Sequence, residues 1–138
     1  MSRFLDTNVL LYSISSASAD RHKRDIAIQT LRRQDNALST QVLQEFYVQS
    51  TRATRPDPLP HQTATGFIES WTRFPICGAD IRLVRAALAL RERYRWSYRD
   101  SAIVAAAQLM GCDELWSEDL QHGQVVDGLR IFDPFADT

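Results

Sequence analysis

Arg3-Phe4-Leu5-Asp6-Thr7-Asn8-Val9-Leu10-Leu11 changes its period in the middle. Arg3 to Asp6 reads as a short strand that ends on an acid. Val9, Leu10, Tyr12 and Ile14 then carry the apolar character into a helix that begins after Asp6-Thr7. A strand handed directly to a helix is the first half of a βα unit, and the same alternation recurs downstream.

Asp20 is placed to cap a second helix reaching about Arg33, with Ile26, Ala27, Thr30 and Leu31 as its apolar stripe. Ala37 to Ser39 is a minimal strand, and Thr40 is the expected cap of a helix from Gln41 to about Thr51. Three prolines within Pro56-Asp57-Pro58-Leu59-Pro60 remove backbone donors and make a loop. A helix from about His61 to Arg73, a strand from Phe74 to Cys77 and a longer helix from about Asp80 to Tyr94 follow. Ser97-Tyr98-Arg99-Asp100 has the form of a capping box ahead of the apolar helix Ala102 to Met110, which Gly111 stops. Glu114 to Ser117 and Leu129 to Phe132 are two last strands. This rhythm predicts an α/β domain with a mainly parallel sheet and helices on both faces. In such sheets ligands bind beyond the carboxyl ends of the strands, where the strand order reverses.

With 138 residues, 44% hydrophobic and 24% charged, the chain suits one globular domain over 1–138 and leaves no room for separate cofactor and substrate modules. Its longest uninterrupted apolar stretch, Ala102 to Ala107, is far short of the ~20 residues that cross a bilayer. No basic segment followed by a long apolar region marks the N-terminus, so the expectation is a soluble, cytoplasmic protein without membrane association. Cys77 and Cys112 have no metal-ligand spacing and read as free thiols. A net charge of −1 gives no global attraction to nucleic acid, yet fifteen arginines stand against a single lysine, Lys23.

Four acids fit a purely structural role poorly when taken together. Asp6 ends the first strand and could simply cap a helix. Glu45 lies on a helical wheel beside Val42 and close to Phe46 and Val48, in the region that should pack inward, unless that helix is poorly amphipathic. Asp100 is three residues into a helix, where the dipole favours its charge, and Asp119 follows a strand, where a turn role would suffice. A parallel sheet can bring such distant strand and helix ends to one place, and four carboxylates there repel unless a cation neutralises them. Oxygen ligands without His or Cys select Mg2+ or Mn2+, and phosphodiester hydrolysis is the chemistry this set suits best.

The segments that carry these acids are Phe4-Leu5-Asp6-Thr7-Asn8-Val9-Leu10-Leu11, Gln41-Val42-Leu43-Gln44-Glu45-Phe46, Asp100-Ser101-Ala102-Ile103-Val104-Ala105-Ala106-Ala107 and Ser117-Glu118-Asp119-Leu120. They resemble, in order and spread, the four motifs of PIN-domain ribonucleases. The length resembles, within that family, the VapC toxins of type II toxin-antitoxin pairs. The resemblance implies a PIN-like (Rossmann-like) three-layer domain around a five-stranded, mainly parallel sheet. It further implies a metal site of Asp6, Glu45, Asp100 and Asp119 that binds Mg2+ or Mn2+, with Thr7, Asn8 and Ser117 in support. It implies an RNA substrate, a VapB-like antitoxin and a homodimer. Glu118 takes the variable place of the fourth motif, and its exchanging roles with Asp119 stays open.

For RNA contact the densest positive charge is the run from Arg82 to Arg99, six arginines against one acid. Arg91, Arg93, Arg95 and Arg99 are the candidates, interleaved with Tyr94, Trp96 and Tyr98 as stacking surface. Alternatively Arg82 and Arg85 solvate a helix face while Trp96 and Tyr98 pack in the core. Two other functions compete. Aspartyl-phosphate phosphatases also end a first strand on Asp, but Asp6-Thr7-Asn8 lacks their second acid and Lys23 stands in the wrong place. A PIN-like protein that binds RNA or a partner without cutting is opposed by the presence of all four acids.

Overall fold

Phe4, Leu5, Leu38, Leu115 and Ile131 are all fully buried, the mark of parallel strands covered on both faces. They lie in a six-stranded sheet in a computed structural model that describes residues 2–136. The strands are β1 (Arg3–Leu5), β2 (Asn36–Ser39), β3 (Ile76–Cys77), β4 (Glu114–Trp116), β5 (Val125–Val126) and β6 (Leu129–Phe132). Their order is β3-β2-β1-β4-β6-β5, parallel throughout except for the β5–β6 pair.

The α/β class stands, with one strand more than the expected five. β5 escaped the sequence reading although Asp127-Gly128 is a two-residue hairpin signal. Both residues have positive φ, 50° and 88°, as the tight turn into β6 requires.

Helices α1 (Thr7–Ser13), α2 (Arg21–Leu31), α3 (Thr40–Thr51) and α4 (His61–Trp71) lie in the connections from β1 to β2 and from β2 to β3. α5 (Ile81–Tyr94) and α6 (Tyr98–Leu109) fill the connection from β3 to β4. The first two crossovers step one way along the sheet and the third steps back, so right-handed connections put α1–α4 on one face and α5–α6 on the other. The packing agrees: α1 touches α2 and α3, α3 touches α4, and α5 lies along α6. Residues 101–107 of α6 are buried on every side, and their small side chains let the helix lie against β2, β4 and α5.

The starts of α5 and α6 are fixed by side chains that the sequence already marks. Asp80 and Ser97 accept hydrogen bonds from the backbone N–H groups of Leu83 (3.0 Å) and Asp100 (3.1 Å). α3 differs from expectation: its cap is Ser39, not Thr40, and accepts from the Val42 N–H at 3.3 Å. β2 runs into α3 with no loop between, so the last strand residue, already extended, does the capping. Asp20 precedes α2 but accepts the Ser15 hydroxyl at 2.7 Å instead of capping through its side chain. Neither cysteine is in a disulfide, and among the described residues no helix is long and apolar enough to cross a membrane.

Candidate active site

The chain leaves β1 toward β2 and returns to the other side of β1 with β4, so the strand order reverses between β1 and β4. Asp6 follows β1 directly at this point and is completely buried. Its Oδ1 accepts from the Thr7 N–H at 2.7 Å and its Oδ2 from the Ser117 hydroxyl, also at 2.7 Å. Ser117 follows β4, so one hydrogen bond ties the ends of the two adjacent strands together. The Ser117 oxygen also accepts from the Asp119 N–H at 3.0 Å, which fixes the turn carrying that acid. Asn8 donates to Asp119 Oδ2 at 3.3 Å, and the Thr7 hydroxyl to Glu45 Oε1 at 2.6 Å. Thr7, Asn8 and Ser117 thus all stand where they support an acid.

Glu45 comes from α3 on one face of the sheet and Asp100 from the first turn of α6 on the other. Arg99 joins them. Its guanidinium donates to Asp6 Oδ1 (Nη2, 2.7 Å), Glu45 Oε1 (Nη2, 2.7 Å), Glu45 Oε2 (Nε, 3.0 Å) and Asp100 Oδ1 (Nη1, 3.1 Å). Asp119 Oδ2 lies 3.8 Å from Nη1. Distances of 2.7 to 3.1 Å are those of charge-assisted hydrogen bonds, and the planar fork reaches two or more carboxylates at once as an ammonium could not. All four sequence-predicted acids therefore meet around one cation, and that cation is a residue of this chain.

Arg99 was expected among surface phosphate contacts. It lies instead within the acid cluster, because the capping turn at Ser97 aims the second helical residue of α6 at the sheet end. Arg91, Arg93 and Arg95 stay apart from it. Arg91 donates to the Trp96 carbonyl at 2.7 Å, Arg93 pairs with Asp127 at 3.5 Å, and Arg95 ends α5 in the left-handed region with φ of 64°. Tyr94 and Trp96 stack on each other, centroids 4.5 Å apart, and only Tyr98 of the three aromatics is exposed.

Glu118 does not share the place of Asp119. Its carboxylate accepts from the Tyr12 hydroxyl at 2.8 Å and lies 3.7 Å from Lys23 Nζ. Burial and the Glu118 hydrogen bond raise the Tyr12 pKa, which keeps the phenol a donor.

Burial pulls the Glu45 pKa upward, but hydrogen bonds from Arg99 and Thr7 outweigh it and hold the group below the usual carboxylate range. Asp119 goes the other way: burial, then the charge of Asp6, raise it despite relief from Asn8 and Arg99. For Arg99, burial disfavours the charge, but Glu45 and Asp6 more than restore it and leave the pKa above its ordinary value.

Four carboxylates stand around one guanidinium, so carboxylates outnumber the cation that faces them. The donors are all oxygens, the set that hard divalent ions prefer. Among the described residues Asn8 Oδ1, on the amide whose Nδ2 donates to Asp119, is a buried acceptor without a partner. Among the described residues no three His, Cys, Asp or Glu side chains converge with metal-ligand spacing, since the acids stand around the guanidinium. By donor chemistry the residues fit Mg2+ or Mn2+, and Asp6, Glu45, Asp100 and Asp119 are the ones that could hold it.

A cleft of about 520 Å³ opens from this cluster and reaches past Asn8, Tyr12 and Glu118 to Gln49 and Arg55. Sequence reasoning missed its far wall. Arg55 sits in the proline-rich loop, which is pinned to α3 by the Leu59 N–H donating to the Ser50 carbonyl at 2.8 Å. The Ser16 hydroxyl, donating to Asp57 at 2.7 Å, holds the same loop near α1. Among the described residues the half-buried Arg55 side chain has no hydrogen bond or ion pair, so its charge faces the cleft. One signal was available: an arginine preceding prolines in a short loop after the helix that carries Glu45.

The PIN domain family model matches residues 3–127. No curated protein matches the chain. Among solved structures, a toxin-antitoxin complex from Klebsiella pneumoniae is similar at 23% identity and TM-score 0.72, over 97% of this chain and 98% of that one. VapC20 of Mycobacterium tuberculosis, a toxin that cleaves the sarcin-ricin loop, is similar at 18% identity and TM-score 0.66, over 83% and 87%. FitAcB from Neisseria gonorrhoeae is similar at 14% and 0.68, over 97% and 99%.

Proposed function

The chain belongs to the PIN domain family, and from that premise we propose that it is a metal-dependent endoribonuclease, the VapC-like toxin of a toxin-antitoxin pair. The observation that carries this reading is the meeting of Asp6, Glu45, Asp100 and Asp119 at the strand-order reversal, with more negative charge than Arg99 neutralises. We place the whole of it in one domain over 1–138, acting in the cytoplasm.

A bound divalent ion would supply a water of lowered pKa and charge neutralisation at the phosphate that is attacked. The chain's own residues do the rest. Asp6, locked by the Thr7 N–H and Ser117, gives the site one carboxylate in fixed orientation. Glu45 and Asp100 approach from opposite faces of the sheet, and Asp119, the most exposed of the four at 51% side-chain exposure, stands at the mouth. Arg55, unpaired among the described residues, lines the cleft as a cation able to meet an RNA phosphate, a role we give it in place of Arg91, Arg93 and Arg95.

A VapB-like antitoxin and a homodimer complete the proposal. The antitoxin's support is the similarity to a protein described as a toxin-antitoxin complex, and the homodimer follows from the family resemblance of the four motifs alone.

The test is cleavage of single-stranded RNA by purified protein, read together with RNA binding. A nuclease cuts in Mg2+ or Mn2+, stops in chelator and resumes when metal is restored. A protein that holds RNA equally in both conditions and cuts in neither is a binding protein only, and the proposal fails.

A further inference from the structure

A metal site whose ligands already grip a guanidinium poses a question of competition. Arg99 makes hydrogen bonds to Asp6, Glu45, Asp100 and the Thr7 hydroxyl, and it stands at 3.8 Å from Asp119. Each carboxylate oxygen that it engages is one that cannot turn fully toward a divalent ion. The guanidinium is nonetheless not sealed in. Its side chain is 31% exposed and forms part of the cleft wall, so an exit without unfolding lies next to it. The backbone that carries it is independently fixed, since Gln41 donates to the Arg99 carbonyl at 3.3 Å and Ser97 caps the turn. The side chain can therefore move while α6 stays in place.

Resting on the metal-site reading, we propose that Arg99 is a resident counterion of the four acids. It holds them assembled when no metal is present and competes with the divalent cation, which binds only as the guanidinium turns out into the cleft. Two consequences follow. The acids are preorganised without metal, because their mutual repulsion is relieved by Arg99. The apparent affinity for metal is lower than the bare carboxylates would give, because the protein must first reach a form with Arg99 turned out.

Calorimetric titration of the full chain with Mn2+ tests the competition in wild type, Arg99→Gln and Arg99→Lys, alongside melting temperatures in chelator. Arg99→Gln should melt lower than wild type without metal yet bind Mn2+ about tenfold more tightly or better, if the inward form outweighs the outward by that factor. Arg99→Lys, with a point charge in place of the fork, should fall between. Should Arg99→Gln not fold, wild type alone decides. The Arg99 Nε–H, which donates to Glu45 Oε2 at 3.0 Å, should exchange slowly with water in chelator and lose that protection in saturating Mg2+. Mn2+ binding by wild type that Arg99→Gln leaves equal or weakens, or Nε–H protection that survives saturating Mg2+, overturns the competition and leaves the metal site standing. Absence of Mn2+ binding by wild type and Arg99→Gln alike overturns both.

Discussion

Asp6 shows what a fully buried carboxylate requires in this protein: three donors from three elements, the Thr7 N–H, the Ser117 hydroxyl and Arg99. At the other end of the sheet the signs are reversed. Arg3 is a buried cation, 5% exposed, whose Nη2 donates to Asp35 at 3.1 Å while its guanidinium lies 4.4 Å over the Trp116 ring. Asp35→Asn removes the carboxylate hydrogen-bonded to that guanidinium, leaving only the charge of Glu114 nearby, and should cost about 1–3 kcal/mol at neutral pH. Burial of Asp35 works to raise its pKa, but Arg33, its own backbone N–H and Arg3 pull it below the ordinary value. The folded pKa thus lies under the unfolded one. The stabilisation is present above the usual carboxylate range and is lost as pH falls through the folded value. Melting of wild type and variant should differ at neutral pH and converge as pH falls through the folded value of Asp35; a gap independent of pH would mean that charge is not its source.

At the scale of elements, the capped first turn of α6 does two tasks, because Arg99 and Asp100 are its second and third residues. Ser97→Ala should cost about 1 kcal/mol and also loosen both functional side chains. Asp80→Ala removes the equivalent cap of α5 at a similar cost, yet should leave RNA cleavage and Mn2+ binding at wild-type levels. Equal activity of the two variants would show that the α6 cap serves stability alone. The same elements mark what could be read from the residues. The Ser97 and Asp80 caps and the stop at Gly111 are local signals, and each fell where the residues put it, whereas the strand expected over Phe74 to Cys77 shrank to Ile76–Cys77. β5 was missed because a two-residue strand has no period of its own and only the Asp127-Gly128 turn announces it. The Ser39 cap was missed because Thr40 next to it satisfies the same local rule. The direction of Arg99 was beyond local signals: a run of arginines reads as one patch, whereas the packing of α6 on the sheet sends one of them inward and leaves three outside.

For the whole molecule, net charge of −1 hides a division of labour among the arginines. Arg91 and Arg93 are committed to the Trp96 carbonyl and Asp127, and Arg55 faces the cleft. Arg55→Gln should weaken RNA binding and reduce its salt slope by about 0.7, the value of one phosphate contact on a single strand. Replacing Arg93 should change the slope little. The opposite ranking would return the RNA path to the end of α5.

The most direct measurement is the rate of RNA cleavage in Mn2+ by wild type and by Asp6→Asn, Glu45→Gln, Asp100→Asn and Asp119→Asn, each shown by melting to be folded. If the four acids hold the catalytic ion, every variant should lose about a hundredfold or more in rate, and wild type should match them in chelator. Wild-type cleavage by folded Asp100→Asn, or undiminished cleavage in chelator, would contradict a metal site built on these carboxylates.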